Sequence, residues 1–446
     1  MPAIATSKFR VHNAEQFLEA FSEANDTKMY FYIGGVSAFV DDANPPTPTN
    51  DTSSIEFSPW SDMYAAKRVQ STEVVQVIDR YNWTTATVYD QYDDVDADIL
   101  DDDFYVMTAD YGVYKCLSNN NGAASTVEPT GTSTTEFTTA DGYIWKYMYT
   151  VSTADALKFL TNEFIPVRTD SVVSAAAIDG GIHTYKIANA GSGYTDGTYY
   201  APLIGDGSGG IVAITVSSGA ISSAALQAAG TGYTSASVDL TNGNPDVYSD
   251  AGLLTPSTAM DAGIDGSITP IISPKGGHGA DAEEELGGKF VMLNVRLDGD
   301  ENGTISVDND FRKVGLVRDP YDYGTTDVAT VTNIRQTYRF TLTGVSNTFS
   351  VDDVVSVGSS QATVVEWDSV NSYLYTTLPT LDTSVWTDGA VINGVAPSTG
   401  TGTIDAGGVD NPGLQPYSGD VLYIENRSPI SRASDQIEDV KLVIEF

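Results

Sequence analysis

The stretch from Tyr417 to Phe446 constrains this chain most. It reads YSGDVLYIENRSPISRASDQIEDVKLVIEF. Val421 to Ile424 is a short apolar run behind a Ser-Gly turn, the pattern of a strand. Ser428-Pro429 predicts a bend, because proline donates no hydrogen bond and restricts the residue before it. From Val440 to Phe446 apolar residues recur at every second position. That predicts a half-buried strand with Leu442, Ile444 and Phe446 on its inner side. Such a strand has to be tied into a sheet, so the expected core is β and gathers both ends of the chain.

The rest of the sequence agrees. It holds 41 Gly, 18 Pro and 25 Tyr in 446 residues, with Thr, Ser and Val throughout, which favours many short strands and turns. The length predicts two or more domains. With 22 basic against 60 acidic residues the formal charge is -38, a field that repels nucleic-acid phosphates and anionic membranes. Neither partner is expected. No apolar run approaches the ~18–20 residues of a membrane span, and MPAIATSKFR lacks the apolar stretch of a secretory signal. Cys116 is the only cysteine, so no intrachain disulfide forms, and its apolar setting points to a buried structural thiol.

Asn13 with Gln16 has the spacing of a capping box, predicting a helix through Phe21 that Asn25-Asp26 ends. Met29 to Ile33 reads as a strand and Pro45 to Thr49 as an extended loop. Ser58-Pro59 predicts a helix from Trp60 to Val69. Val113 to Leu117 and Tyr143 to Val151 are strand patterns, and Thr153 to Leu160 a short helix. From about Asp170 the texture changes. Ala190-Gly191-Ser192-Gly193-Tyr194-Thr195 recurs as Ala229-Gly230-Thr231-Gly232-Tyr233-Thr234, a duplicated β unit. Lys289 to Leu297 and Phe311 to Arg318 return to long core strands. Five short strands then follow between Arg339 and Ile392, as in a small barrel or sandwich. The expected fold is mainly β and multi-domain. A β-sandwich-like core with a few short helices (1–170, 261–329 and 411–446) carries two inserted small β modules (171–260 and 330–410).

Chemistry is sparse. Gly205 to Gly210 satisfies GxGxxG, but a strand follows where a dinucleotide site needs a helix, which favours a plain turn. Asp298, Asp300 and Asn302 precede Gly303 with the alternate spacing of a calcium loop, yet Asn309 stands where the closing Glu belongs. An Asn302-Gly303 hairpin turn competes with that reading. His12, His183 and His278 are far apart in sequence, and no HExxH, CxxC or GxSxG occurs. Lys275 to Gly279 forms either an anion nest or an ordinary glycine turn. No metal, cofactor or catalytic residue is expected.

Several blocks in order resemble one family. They are Ile4 to Arg10, Pro45 to Thr49, then Trp60, Met63, Lys67 and Val69, and Val77-Ile78 with Arg80 and Trp83. Val113 to Leu117, Asp141 to Trp145 and Thr161 to Ile165 continue the series, with a weaker match at Asn309 to Pro320. The closing block is Ser418 to Ile430 with Asp435-Gln436. Together they resemble the baseplate wedge protein, gene product eight, of T-even-like contractile-tailed phages. The two β modules depart from that pattern.

The resemblance implies a non-enzymatic structural protein of the virion's tail baseplate, assembled in the host cytoplasm. It implies a homodimer that meets other wedge proteins, including the one joining the short tail fibres and the central long wedge protein. Tyr423, Glu425, Asn426 and Arg427 become candidate interaction residues, which either face a partner or brace the fold. The competing expectations are a carbohydrate- or receptor-binding tail protein and a polysaccharide-cleaving enzyme.

Overall fold

The computed structural model describes residues 3–23, 27–240 and 263–446. It is mainly β, with several sheets and a few short helices. The chain divides into two compact units. One holds Met1–Glu15, Val75–Val291 and Ile444–Phe446; the other holds Gln16–Val74 and Met292–Val443.

The second unit is built on an antiparallel five-stranded sheet. Its order is Asn333–Arg335, Met63–Arg68, Met29–Gly34, Phe311–Arg318 and Asp420–Ile430. Met29–Gly34 is buried at every position, as its unbroken aromatic run requires. Tyr30 and Tyr32 pack with Trp60, Met63, Val317 and Leu414. Gly315 stands opposite Tyr32, and a Cβ there would lie 2.4 Å from the Tyr32 ring and 2.3 Å from the Tyr423 carbonyl. Only glycine lets that ring cross the strand.

Three sequence expectations are corrected here. The helix read from Trp60 to Val69 stops at Asp62, and Met63–Arg68 is a strand pairing Phe31 with Lys67. Pairing on both sides outweighs the helix preference of Ala65 and Ala66. No bend forms at Ser428-Pro429, because the strand runs on to Ile430. It lies at the sheet edge and its register slips near that point, so a missing donor costs no ladder bond. The first helix begins at Ser7 rather than after Asn13, and Thr6 Oγ1 accepts from the Phe9 N–H at 3.3 Å. Gln16 binds Glu19 instead of reaching back to Asn13. Its proposed stop at Asn25-Asp26 lies outside the described residues.

The closing strand, Ile437–Glu445, sits at a sheet edge beside Phe290–Asp298. Val440 and Leu442 are buried, while Ile444 and Phe446 are half-buried, as suits an edge. The Phe446 N–H donates to the Lys289 carbonyl at 3.1 Å.

Also in this unit, six strands from Tyr338–Ser346 to Thr401–Asp410 close into a barrel. Phe340, Leu342, Val355, Val364, Leu374, Ile392 and Ile404 fill it. Trp386 stacks on Phe340 at 5.2 Å and donates its indole N–H to Ser360 Oγ at 2.9 Å.

In the first unit, Tyr105–Met107, Gly112–Ser118, Ile144–Thr150 and Phe137–Thr138 form an antiparallel sheet. The duplicated sequence folds beyond it as two intertwined copies. Each copy's first strand pairs with the other copy's last: Ile182–Asn189 with Ser267–Ile272, and Ala220–Thr231 with Ser208–Ser217. The repeated tyrosines are exchanged in the same way. The Tyr194 N–H donates to the Gly219 carbonyl and the Tyr233 N–H to the Gly180 carbonyl. Tyr194 Oη accepts from the Gly266 N–H and Tyr233 Oη from the Gly210 N–H, both at 3.1 Å. Gly191 and Gly230 have φ of 65° and 63°, and a Cβ on either would strike the opposite copy's backbone. The sequence boundary near residue 260 lies outside the described residues.

Candidate functional site

The closing block divides its residues between two faces of one strand. Tyr423, Glu425 and Arg427 alternate onto one side. Arg427 Nε and Nη2 grip Glu425 at 2.5 and 3.0 Å, and Nη2 also reaches the Lys441 carbonyl at 2.8 Å. The Tyr423 hydroxyl donates to Glu425 at 2.8 Å. Burial, and then the Glu425 carboxylate, push the Tyr423 pKa up. These three side chains brace the closing strand. Asn426 points the other way and donates to the Pro46 carbonyl at 2.7 Å, pinning the proline loop along the sheet edge. Beside it lies an exposed apolar surface. Phe57 and Tyr417 meet edge to face at 5.6 Å, and Leu422 is exposed. A cleft of about 250 Å³ runs there between Pro48, Asn50, Ile55 and Val421 to Ile424.

The other motifs are filled from within. Glu301, beside the calcium-like triplet, takes the Lys67 ammonium at 2.5 Å, the Asn333 amide at 2.8 Å and the Asp298 N–H at 3.0 Å. Burial raises its pKa, but these donors outweigh burial and hold it below the usual range. Asp300 accepts from the Asn302 N–H, and Asn302 and Gly303 take positive φ in a turn. Among the described residues no three His, Cys, Asp or Glu side chains gather as a metal site. In the GxGxxG stretch, Tyr233 lies where a Cβ on Gly207 would sit. The glycine turn at 276–279 is a nest whose anion is internal, since the Gly279 N–H donates to Glu285 Oε1 at 2.7 Å.

That carboxylate belongs to a buried charge cluster that sequence reading missed. Lys115 and Lys146 stand directly opposite each other on adjacent strands. Like charges so placed repel. Glu285 answers Lys115 at 2.9 Å, and the Lys115 ammonium also lies 4.0 Å from the centre of the Tyr92 ring. Lys146 donates to the Thr134 carbonyl at 2.5 Å. His183 Nδ1 lies 3.1 Å from Glu136, and the His183 ring is 5.6 Å from that of His278. His278 Nδ1 is 4.0 Å from Glu285 and has no hydrogen-bond partner. Lys115 is 0% exposed, His278 3% and Glu285 8%. Burial, and then the Lys115, His183 and Lys146 charges, hold the His278 pKa well below the free value. Burial likewise lowers the pKa of Lys115 and of Lys146. For Glu136 burial is outweighed by the His183 imidazole 3.1 Å away, and its pKa falls. The signal in the sequence was Lys115 and Lys146 set inside apolar strands, VYKCL and IWKYM, where an unpaired cation does not go. Cys116, next to Lys115, is fully buried, and burial raises its thiol pKa.

A scan against protein-family models finds none that matches this chain, and a search of curated proteins finds no match either.

Proposed function

We propose that this chain is a structural component of the baseplate wedge of a contractile phage tail. It assembles without catalysis through protein surfaces, as a homodimer and with other wedge proteins, including the short-tail-fibre-linking and central long ones. One observation carries the reading: blocks that share the family's order and lie far apart in sequence are neighbours in the fold. The Trp60 to Val69 block, Asn309 to Pro320 and the closing block supply strands of one sheet, and Asn426 ties the Pro45 to Thr49 loop to it. Ile78 pairs with Ile165, and Cys116 with Trp145. The Phe57–Tyr417–Leu422 surface, lying against the closing block, is the assembly face.

The test is co-purification of the full chain with the wedge proteins encoded beside it, combined with light scattering of the chain alone. A dimer, and a complex lost on Leu422→Asp, are expected. A monomer that binds none of those proteins sinks the reading. A carbohydrate- or receptor-binding role has one feature in its favour. It is a cleft of about 440 Å³ lined by Phe39, Asp62, Lys313, Gln361, Thr363 and Thr380, a mix of ring, charge and hydroxyl that suits a sugar. Glycan binding that Gln361→Ala abolishes would favour it.

A further inference from the structure

The buried cluster sits at the root of the duplicated module. The chain enters the module through the His183 strand and leaves it through the turn carrying His278 and the helix carrying Glu285. All three residues face the sheet of Lys115 and Lys146. The root is thus held by groups from six places. Lys115 and Lys146 come from two sheet strands, and Glu136 from the segment before a third. Tyr92 comes from the preceding loop, His183 from the module's first strand, and His278 with Glu285 from the return.

With the His278 imidazole neutral, the two lysines face the two glutamates. A proton on His278 meets Lys115 and Lys146, and its Nδ1 stands 4.0 Å from Glu285, beyond hydrogen-bond distance. That proton therefore leaves a third cation against two carboxylates in a buried site, which is costly.

We propose that this root is an acid-sensitive latch: protonation of His278 releases the module's two connecting segments from the Lys115–Lys146 strands. An imidazole kept neutral while the root is closed and free to protonate when it opens makes opening easier as pH falls. The effect begins near the free-imidazole value of about 6.5 and grows about tenfold per pH unit for each proton taken up. Glu136, whose carboxylate steadies the closed form, adds its own loss only below the ordinary glutamate range, near pH 4.5. The latch therefore opens first through His278. It is independent of the wedge assignment, because it needs only the cluster.

Hydrogen exchange with mass spectrometry on the full chain tests it, after correction for intrinsic rates. Peptides covering Ile182–Asn189 and Ser267–Ile272 are followed from pH 7.5 to 5.0, with the barrel strand Tyr338–Ser346 as internal control. The expected result is an opening constant that rises about fivefold between pH 6.5 and 5.5 in the module strands, and about tenfold more per pH unit below that, while the barrel stays level. In His278→Gln that rise is lost. Should that variant not fold, Lys146→Met serves: with one facing cation gone, the rise becomes shallower. Flat protection in the native chain, or the same slope in the variants, overturns the proposal.

Discussion

Replacing Glu285 with Gln tests the cluster's energetics. Gln keeps an oxygen for the Gly279 N–H at 2.7 Å, so the local turn is spared. What disappears is the charge that answers Lys115 at 2.9 Å. Lys115 is wholly buried and its cross-strand neighbour is Lys146, so the remaining cation faces another cation in a buried site. Breaking a buried pair on one side costs about 3–5 kcal/mol, whereas replacing both partners with neutral groups of similar shape is often close to neutral. The expected cycle is therefore non-additive. Glu285→Gln alone loses about 3–5 kcal/mol, and Lys115→Met added to it recovers most of that. Two units need not unfold in one step, so the reading has to be local. Urea-dependent hydrogen exchange of the Gly112–Ser118 amides supplies it. A single variant that loses less than about 1 kcal/mol, or a double variant equal to the sum of the singles, would refute the account of the cluster.

Other outcomes follow from the same geometry. Gly315→Ala forces a methyl against the Tyr32 ring and the Tyr423 carbonyl; differential scanning calorimetry should show the five-stranded sheet's unit weakened by about 1–3 kcal/mol, and an unchanged melt would mean the ring can move aside. Asp141 is buried enough to raise its pKa, but the Thr139 hydroxyl and the Thr126, Val127 and Tyr143 N–H groups bring it down to about 2. Its folded pKa is depressed, so its stabilisation is present above 3.8 and fades as pH falls toward about 2. Asp141→Asn should remove that pH dependence and expose the Thr126 and Val127 amides to exchange, and a wild-type acid profile in the variant would show that the loop does not lean on this carboxylate. Excising 338–410 behind a short Gly/Ser bridge should leave the five-stranded sheet folded, because the Gly413 N–H already meets the Arg335 carbonyl at 2.9 Å and loop closure costs little; failure of the remainder to melt cooperatively would show the barrel is part of that core.

Strands whose own chemistry is β-branched or aromatic were legible in the sequence. Phe311–Arg318 matches residue for residue. Met63–Arg68 was not legible, because its Ala-Ala-Lys-Arg content favours helix until neighbours on both sides claim its backbone. The barrel's sixth strand, Thr401–Asp410, was hidden by Gly402, Gly407 and Gly408, which erase the alternation that closure then supplies from outside. The repeat at Tyr194 and Tyr233 was plain in sequence, but the exchange of strands between copies was not, since pairing is a long-range fact. The charge cluster was missed for the same reason. Its six ionisable members run from Lys115 to Glu285, and each alone looked ordinary. The closing block was found, yet its geometry moves three of its residues into bracing and leaves the neighbouring Phe57, Tyr417 and Leu422 exposed.

The most direct test of the proposed wedge assignment is a cryo-electron microscopy map of intact particles from the source of this sequence, searched for a contractile tail that holds the chain. The account predicts density for this chain within the baseplate, present as pairs, with the Phe57–Tyr417–Leu422 surface covered by another wedge protein or by its twin. A map that places the chain at a fibre tip or leaves that surface open to solvent, or a particle that lacks the chain, would contradict it.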